Sequence, residues 1–389
     1  MKILLVSSSS SGSGGGGLFF HKLARCFLER GQYVSIAYSD DNQFDGLAKQ
    51  ASDLGCEVIR FPYIRVYDRR FRSLELLFGG ITKGISKKFV DSYDVVHVSQ
   101  QNIEDGIDLV AAFGKICPER LVVTIHIVER LQQLGQRLGY FRQIYSARVY
   151  HHLQNKVKFA FVSASAEQLF TEMFGTRLRY GRVIYNGAEN PSTSLTTAMV
   201  RESLGIGTNV FVLGSLGRLE EQKNYKLLIR AFAEISPVIN NSRLVLVGDG
   251  SQHNELIELA NTLGVGDRLT ITGWVSEPGN FLSIMDVFVL PSWFEGFPFA
   301  LVEALMGDKI CLASSIPPHA ECLSQENTLL FNPENSFELA DALKRVESGD
   351  INTLKSAKKV INNAHARFSM DGMINGMIDF YQFEFDSIF

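Results

Sequence analysis

Two glutamates with seven residues between them, Glu295 and Glu303 in the segment LPSWFEGFPFALVEALMG, stand out as groups that could do chemistry. Pro298 suits the first turn of a helix, so Glu295 and Gly296 are expected just before that helix and Glu303 on it, more than one turn in. Eight residues of ideal helix span roughly 12 Å. The paired carboxylates of a hydrolase stand about 5 to 10 Å apart across one bond, so this spacing argues against that chemistry. It suits a long ligand gripped at both ends, with the amides of a helix N-terminus between them facing phosphates. The alternative is a solvated Glu303 and a loop charge at Glu295. Against it, the neighbours FPFALV and ALM put Glu303 beside apolar residues, where an acid needs donors such as ribose hydroxyls.

A second set lies upstream in GSLGRLEEQKNYKLLIRAF, where Arg218 and Lys223 are five residues apart between a strand end and a helix. A planar guanidinium fork and a mobile ammonium at such a turn suit a diphosphate; taken alone, both could equally be solvated surface cations. A third set opens the chain. In SSSSSGSGGGGLFF, Gly12, Gly14 and Gly17 satisfy GxGxxG after a strand, and Asp40 ends the next strand, where a dinucleotide-binding domain keeps its ribose-binding acid. This supports a nicotinamide site, a ligand loop of another kind, or a linker, since so glycine-rich a tract matches several spacings.

These groups need elements to hold them. Short apolar runs, KILLVSS, YVSIAYS, CEVIRF, DVVHVS, LVVTIHI and FAFVSAS, alternate with helical patterns, and Gly31 ends the first helix. Strands without polar alternation indicate a parallel sheet buried on both faces. The pattern restarts after NPSTSLTTA at 190–198 with VFVLGSLG, RLVLVG, RLTITG, DVFVLPS and KICLAS. The fold class expected is α/β, with two Rossmann-like doubly wound domains facing a central cleft. We place the first over 1–190, the second over 191–370, and a final helix over 371–389 packing back on the first. Ligands of such sheets bind beyond the carboxyl ends of the strands.

The chain has 389 residues, more than one core usually serves, and its 46% hydrophobic and 21% charged residues describe a globular protein. The apolar start MKILLV is too short for a secretory segment, and no run approaches the roughly eighteen apolar residues that span a bilayer. Cys26, Cys56, Cys117, Cys311 and Cys322 are odd in number and unpaired in spacing, which fits a reducing, cytoplasmic compartment. Residues 1–190 hold 24 Lys and Arg against 18 Asp and Glu, whereas the remainder holds 14 against 24, so the halves are expected to meet different partners. Residues 65–89 carry seven cations interleaved with apolar side chains, a pattern that fits an anionic membrane surface or an amphipathic helix packed on the sheet. Nucleic acid is not expected of so short a patch on an acidic protein.

GRLEEQKN from Gly217, VGDG from Val247 and EGFPFALVE from Glu295 together resemble the GT-B retaining glycosyltransferases of the family-four type, the glycosyl transferases group 1. The likeness extends to the Gly-rich opening, ERGQYVSIA, DVVHVS, VIYNGAE and GWVSEP. It implies that Arg218 and Lys223 hold a donor diphosphate, Glu303 the ribose, and Glu295 the hydroxyls of the transferred sugar. It further implies that the amides of Phe299, Ala300 and Leu301 support the phosphates, that Gly16 and Gly17 lie by the diphosphate, and that His126 at the end of LVVTIHI reaches the sugar. His97 is structural or acceptor-side, and Asn186 and Gly187 shape the cleft near the hinge. No Asp-x-Asp pair occurs, so no metal cofactor is expected, and cationic side chains and helix dipoles must stabilise the leaving group. The activity implied is transfer of a hexose or N-acetylhexosamine from a nucleotide sugar to a glycan or lipid-linked acceptor, in bacterial surface polysaccharide synthesis. A nicotinamide oxidoreductase, a non-catalytic sugar-nucleotide binder and a GT-B epimerase are the rival readings.

Overall fold

The computed structural model describes residues 1–7, 15–61, 85–128 and 139–384. Gly12 and Gly14 of the opening loop and residues 65–84 of the basic stretch lie outside them. The chain divides into two compact units, Met1–Tyr185 with Met373–Phe389, and Asn186–Gly372.

The first unit is built on seven parallel strands, β1 (Lys2–Ser7), β2 (Tyr33–Ser39), β3 (Glu57–Phe61), β4 (Val95–Asn102), β5 (Leu121–Ile127), β6 (Lys158–Phe161) and β7 (Gly181–Val183). Their order is β3-β2-β1-β4-β5-β6-β7. The apolar runs sit on the inner strands because both faces are covered: Ile3, Leu4, Leu5 and Val6 in succession are all buried, as are Leu121, Val122 and Val123. The helix Gly15–Glu29 follows β1, and Gly31 turns the chain beyond its end at φ 71°. The chain's last described helix, Met370–Gln382, is tied to this sheet: Tyr381 Oη lies 2.6 Å from His97 Nδ1 on β4, and Lys158 Nζ on β6 donates to the Tyr381 carbonyl at 2.9 Å.

The second unit repeats the scheme with six parallel strands, β8 (Phe211–Leu216), β9 (Ser242–Val247), β10 (Leu269–Ile271), β11 (Val287–Leu290), β12 (Ile310–Ser314) and β13 (Leu330–Phe331), in the order β10-β9-β8-β11-β12-β13. The polar stretch 190–198 belongs to this unit. The amides of Ser194 and Leu195 both donate to Asn280 Oδ1, and Thr196 caps the helix Thr197–Ser203 by accepting from the Met199 amide. A Ser/Thr run that reads as a connector is thus held by one buried asparagine. β7 and β13, three and two residues long, are strands that periodicity does not reveal. Among the described residues no helix is long and apolar enough to cross a membrane.

Candidate active site

In the second sheet the chain runs outward from β8 through β9 to β10, then returns to add β11, β12 and β13 on the other side. The loops after β8 and β11 therefore part in opposite directions from adjacent strand ends, which is where doubly wound sheets bind ligands. The residues singled out in the second unit lie largely in these two loops.

The loop after β8 begins with Gly217, whose carbonyl is crossed by Gly248 at the end of β9. A Cβ on Gly248 would lie 2.1 Å from that oxygen, and Gly248 adopts φ 141°. Only glycine fits there. Glu220 accepts from the Ser251 hydroxyl at 2.7 Å and from its amide at 3.1 Å; these hydrogen bonds hold its carboxyl below the ordinary range. The short turn Glu221–Lys223 closes on Asn224, which takes a left-handed φ of 52° and donates to the Pro333 carbonyl at 2.9 Å. This turn sets Lys223 facing the neighbouring loop.

There Lys223 Nζ donates to Glu295 Oε1 at 2.5 Å, the two side chains being 14% and 10% exposed. Ser292 Oγ donates to the same oxygen at 2.8 Å. Burial pushes the Glu295 carboxyl up, but the charge of Lys223, the nearby His319 and the hydrogen bonds from Lys223 and Ser292 outweigh it, so the group stays below the ordinary carboxylate range. A buried carboxylate held ionised beside an ammonium can accept hydrogen bonds from ligand hydroxyls while its partner faces an anion.

Three further side chains fasten the segment that carries Glu295. Gln222 Nε2 donates to the Phe294 carbonyl at 2.8 Å, and the Gln222 carbonyl accepts from the Trp293 amide at 2.9 Å. Ser314 Oγ at the end of β12 donates to the Ser292 carbonyl at 2.6 Å. Asn186 Nδ2 donates to the Phe297 carbonyl at 3.1 Å, and beside it Gly187 packs so tightly that a Cβ would lie 2.6 Å from the Ser369 carbonyl oxygen. The irregular backbone from Ser292 to Phe297 is thus tied down from several directions.

Pro298 is the N-cap of the helix Phe299–Met306, just outside the first turn rather than in it, with extended backbone and no side-chain cap. The amides of Phe299, Ala300 and Leu301 form the first turn, which lacks intrahelical partners by construction. Glu303 is the helix's fifth residue and half-buried. Only the stretch from Phe299 onward is helical, so the ideal-helix separation of about 12 Å does not describe Glu295 and Glu303. Arg218 is exposed, and its guanidinium makes no hydrogen bond or ion pair among the described residues. The structure thus joins Lys223 to Glu295, and Arg218 hydrogen-bonds to neither.

In the first unit, Gly16 and Gly17 lie in the opening turn of the helix Gly15–Glu29, and Asp40 is exposed just past β2. His126 on β5 is buried, its Nε2 3.0 Å from Ser99 Oγ and its ring edge-on to Phe19 at 4.6 Å; burial lowers its pKa to about 4. His97 on β4 is buried between Tyr381 and Thr124, and burial, then His126, lowers it to about 3. Local spacing does not mark Gln222, Ser292 or Ser314 as site residues. Gln222 at least falls inside GRLEEQKN, whereas the two serines carry no local signal.

Two doubly wound parallel α/β units are the architecture of the GT-B fold. A crystal structure of Anabaena HepE in complex with UDP has this fold, with a TM-score of 0.76 at 22% identity over 97% of this chain and 99% of that one. Residues 198–367 match the model of the glycosyl transferases group 1. An uncharacterized glycosyltransferase of Methanocaldococcus jannaschii is 25% identical over 307 residues, 75% of this chain and 76% of the relative. The UDP-Gal:alpha-D-GlcNAc-diphosphoundecaprenol alpha-1,3-galactosyltransferase of Escherichia coli is 38% identical over 116 residues, 29% of this chain and 30% of the relative. That second match therefore spans less than a third of the relative's length, and lipopolysaccharide and O-antigen glycosyltransferases are among the chain's homologues.

Proposed function

We propose that this chain moves a hexose or N-acetylhexosamine from a nucleoside diphosphate sugar to a glycan or lipid-linked acceptor, with retention at the anomeric carbon, in the assembly of a bacterial surface polysaccharide. The observation that carries the reading is the buried Lys223–Glu295 pair at the switch point of the second sheet. The names of similar proteins support the donor and acceptor classes. One relative is named for UDP-Gal and a diphosphoundecaprenol-linked sugar, and HepE is described in complex with UDP.

In this reading Glu295 accepts hydrogen bonds from the hydroxyls of the transferred sugar, and Lys223 with Arg218 meets the diphosphate. The amides of Phe299, Ala300 and Leu301 add dipoles, Glu303 takes the ribose, and Gly16, Gly17 and His126 serve from the first unit. As the bond between the anomeric carbon and the phosphate oxygen breaks, its electron pair stays on the diphosphate. The acceptor hydroxyl bonds to the anomeric carbon on the same face, and its proton passes to the departing phosphate oxygen. The protein contributes positioning and charge stabilisation, with cationic side chains in the place a divalent metal takes elsewhere. The nicotinamide reading, built on Gly12, Gly14, Gly17 and Asp40, is not favoured, because the family match falls on the second unit.

Incubation with UDP-galactose, UDP-glucose and their N-acetylated counterparts, with a diphosphoundecaprenol-linked sugar as acceptor, tests the proposal. UDP release and an equatorial anomeric proton signal in the product, as in the α-linked donor, are expected. An equatorial-to-axial inversion, or near-normal transfer by Glu295→Ala, Lys223→Ala and Arg218→Ala together, would overturn it. We also propose that residues 65–89 bring the enzyme to anionic membranes. Flotation with phosphatidylglycerol liposomes that survives neutralising Arg69, Arg70 and Arg72 would count against this.

A further inference from the structure

The helix Pro317–Cys322 follows β12 and carries His319, a fully buried histidine to which the reading above gives no part. Its Nδ1 lies 3.0 Å from Ser314 Oγ and 3.1 Å from the Ser314 carbonyl oxygen. A carbonyl only accepts, so Nδ1 carries the proton. The same logic settles the next link. Ser314 Oγ stands 2.6 Å from the Ser292 carbonyl, which takes the hydroxyl's single proton and leaves the Ser314 lone pairs facing Nδ1–H. Ser292 Oγ, 2.8 Å from Glu295 Oε1, gives its proton to the carboxylate, where Lys223 Nζ arrives at 2.5 Å. Each hydrogen therefore has one available direction: His319 to Ser314, Ser314 to Ser292, Ser292 to Glu295.

The other ring nitrogen, Nε2, is buried and has no hydrogen-bond partner among the described residues. A histidine that served only packing would be better replaced by an apolar side chain, which would leave no buried acceptor unmatched. The ring is also within electrostatic reach of the pair. Burial lowers His319 to about 4 while Glu295 pulls it up and Lys223 pushes it down, so the ring is neutral at working pH and keeps the Nδ1–H form.

We propose that His319 is a positioning residue of the donor site: its Nδ1–H, acting through Ser314 and Ser292, holds the loop that presents Glu295. The proposal rests on the reading of Glu295 as a contact of the transferred sugar. Without the ring, Ser314 can rotate away from the Ser292 carbonyl, and a carboxylate displaced by about 1 Å loses rate far more than nucleotide affinity.

The test compares His319→Leu, which fills the space, with His319→Asn, whose side-chain amide nitrogen sits about where Nδ1 does. UDP formation from UDP-galactose and UDP affinity by calorimetry are measured on each. His319→Leu is expected to lose about 10- to 100-fold in kcat with UDP affinity unchanged, and His319→Asn to regain most of that loss. Ser292→Ala should match His319→Leu, and the double variant should be no worse than the poorer single. A fully active His319→Leu, a His319→Asn no better than it, or additive losses would overturn the proposal. Should the wild type form no UDP from UDP-galactose, the proposed function is at fault and not the positioning. The chain of hydrogen bonds is then read without substrate from the side-chain nitrogen resonances of His319. The Nδ1–H tautomer supports it, and the Nε2–H tautomer overturns it.

Discussion

Lys223 and Glu295, 72 residues apart in the chain, meet at 2.5 Å with their side chains 14% and 10% exposed. They come from the loops after β8 and β11, which are neighbours only because the second sheet reverses its order there. Ser292 donates to the same oxygen, so among the described residues the other carboxylate oxygen has no hydrogen-bond partner and can accept from a ligand.

The pair should behave as a unit. Lys223→Met leaves an uncompensated carboxylate and is expected to destabilise the second unit by about 3 kcal/mol, with Glu295→Gln costing less because its amide oxygen still accepts from the Lys223 ammonium. The double variant should regain most of the stability and none of the transfer. Urea unfolding of all four proteins checks this; a double variant as unstable as the sum of the singles would contradict it.

Stability should fall in acid by two routes. His97, His126 and His319 are held by burial at about 3, 4 and 4 against the usual 6.5, so the unfolded chain binds protons that the folded chain refuses. A lowered folded pKa means that stability is lost as pH drops from about 6.5 toward 4, at up to about 1.4 kcal/mol per pH unit for each histidine. Glu295 is lowered for the opposite reason, as an acid favoured in its charged form, and its contribution is present above the ordinary carboxylate range and disappears below it. Unfolding midpoints should therefore hold near pH 7.5 and decline from about pH 6.5 to 4, and His319→Leu should flatten the upper part of that decline.

Gly248→Ala should damage the site from a distance. Its Cβ would meet the Gly217 carbonyl oxygen at 2.1 Å in a backbone conformation that L-residues avoid. We expect a loss of about 2 kcal/mol or more in the second unit and weakened UDP binding through the displaced loop after β8. Thermal unfolding with and without UDP reads both effects.

Tyr381→Phe isolates the attachment of the last helix. The change removes the 2.6 Å contact to His97 Nδ1 and leaves a buried ring nitrogen unsatisfied, at a cost of about 1 to 3 kcal/mol. Hydrogen exchange should show the helix Met370–Gln382 opening earlier, with the second unit unaffected.

The amino-acid order by itself determined the two parallel sheets, since strands buried on both faces are written as unbroken apolar runs, and it placed Arg218, Lys223, Glu295 and Glu303 on loops and a helix start through local spacing alone. It also marked Gln222, Asn224 and Gly248 as members of motifs without saying what they hold. Tertiary structure decided the rest. Lys223 is the ion-pair partner of Glu295, Pro298 stands outside its helix, and the stretch 190–198 is anchored on Asn280. Asn186 reaches Phe297 across 111 residues, and His319 stands behind Ser314 and Ser292. Each of these depends on which strand ends lie side by side, and that adjacency is set by the order of strands in the sheet, a non-local property that no spacing along the chain records.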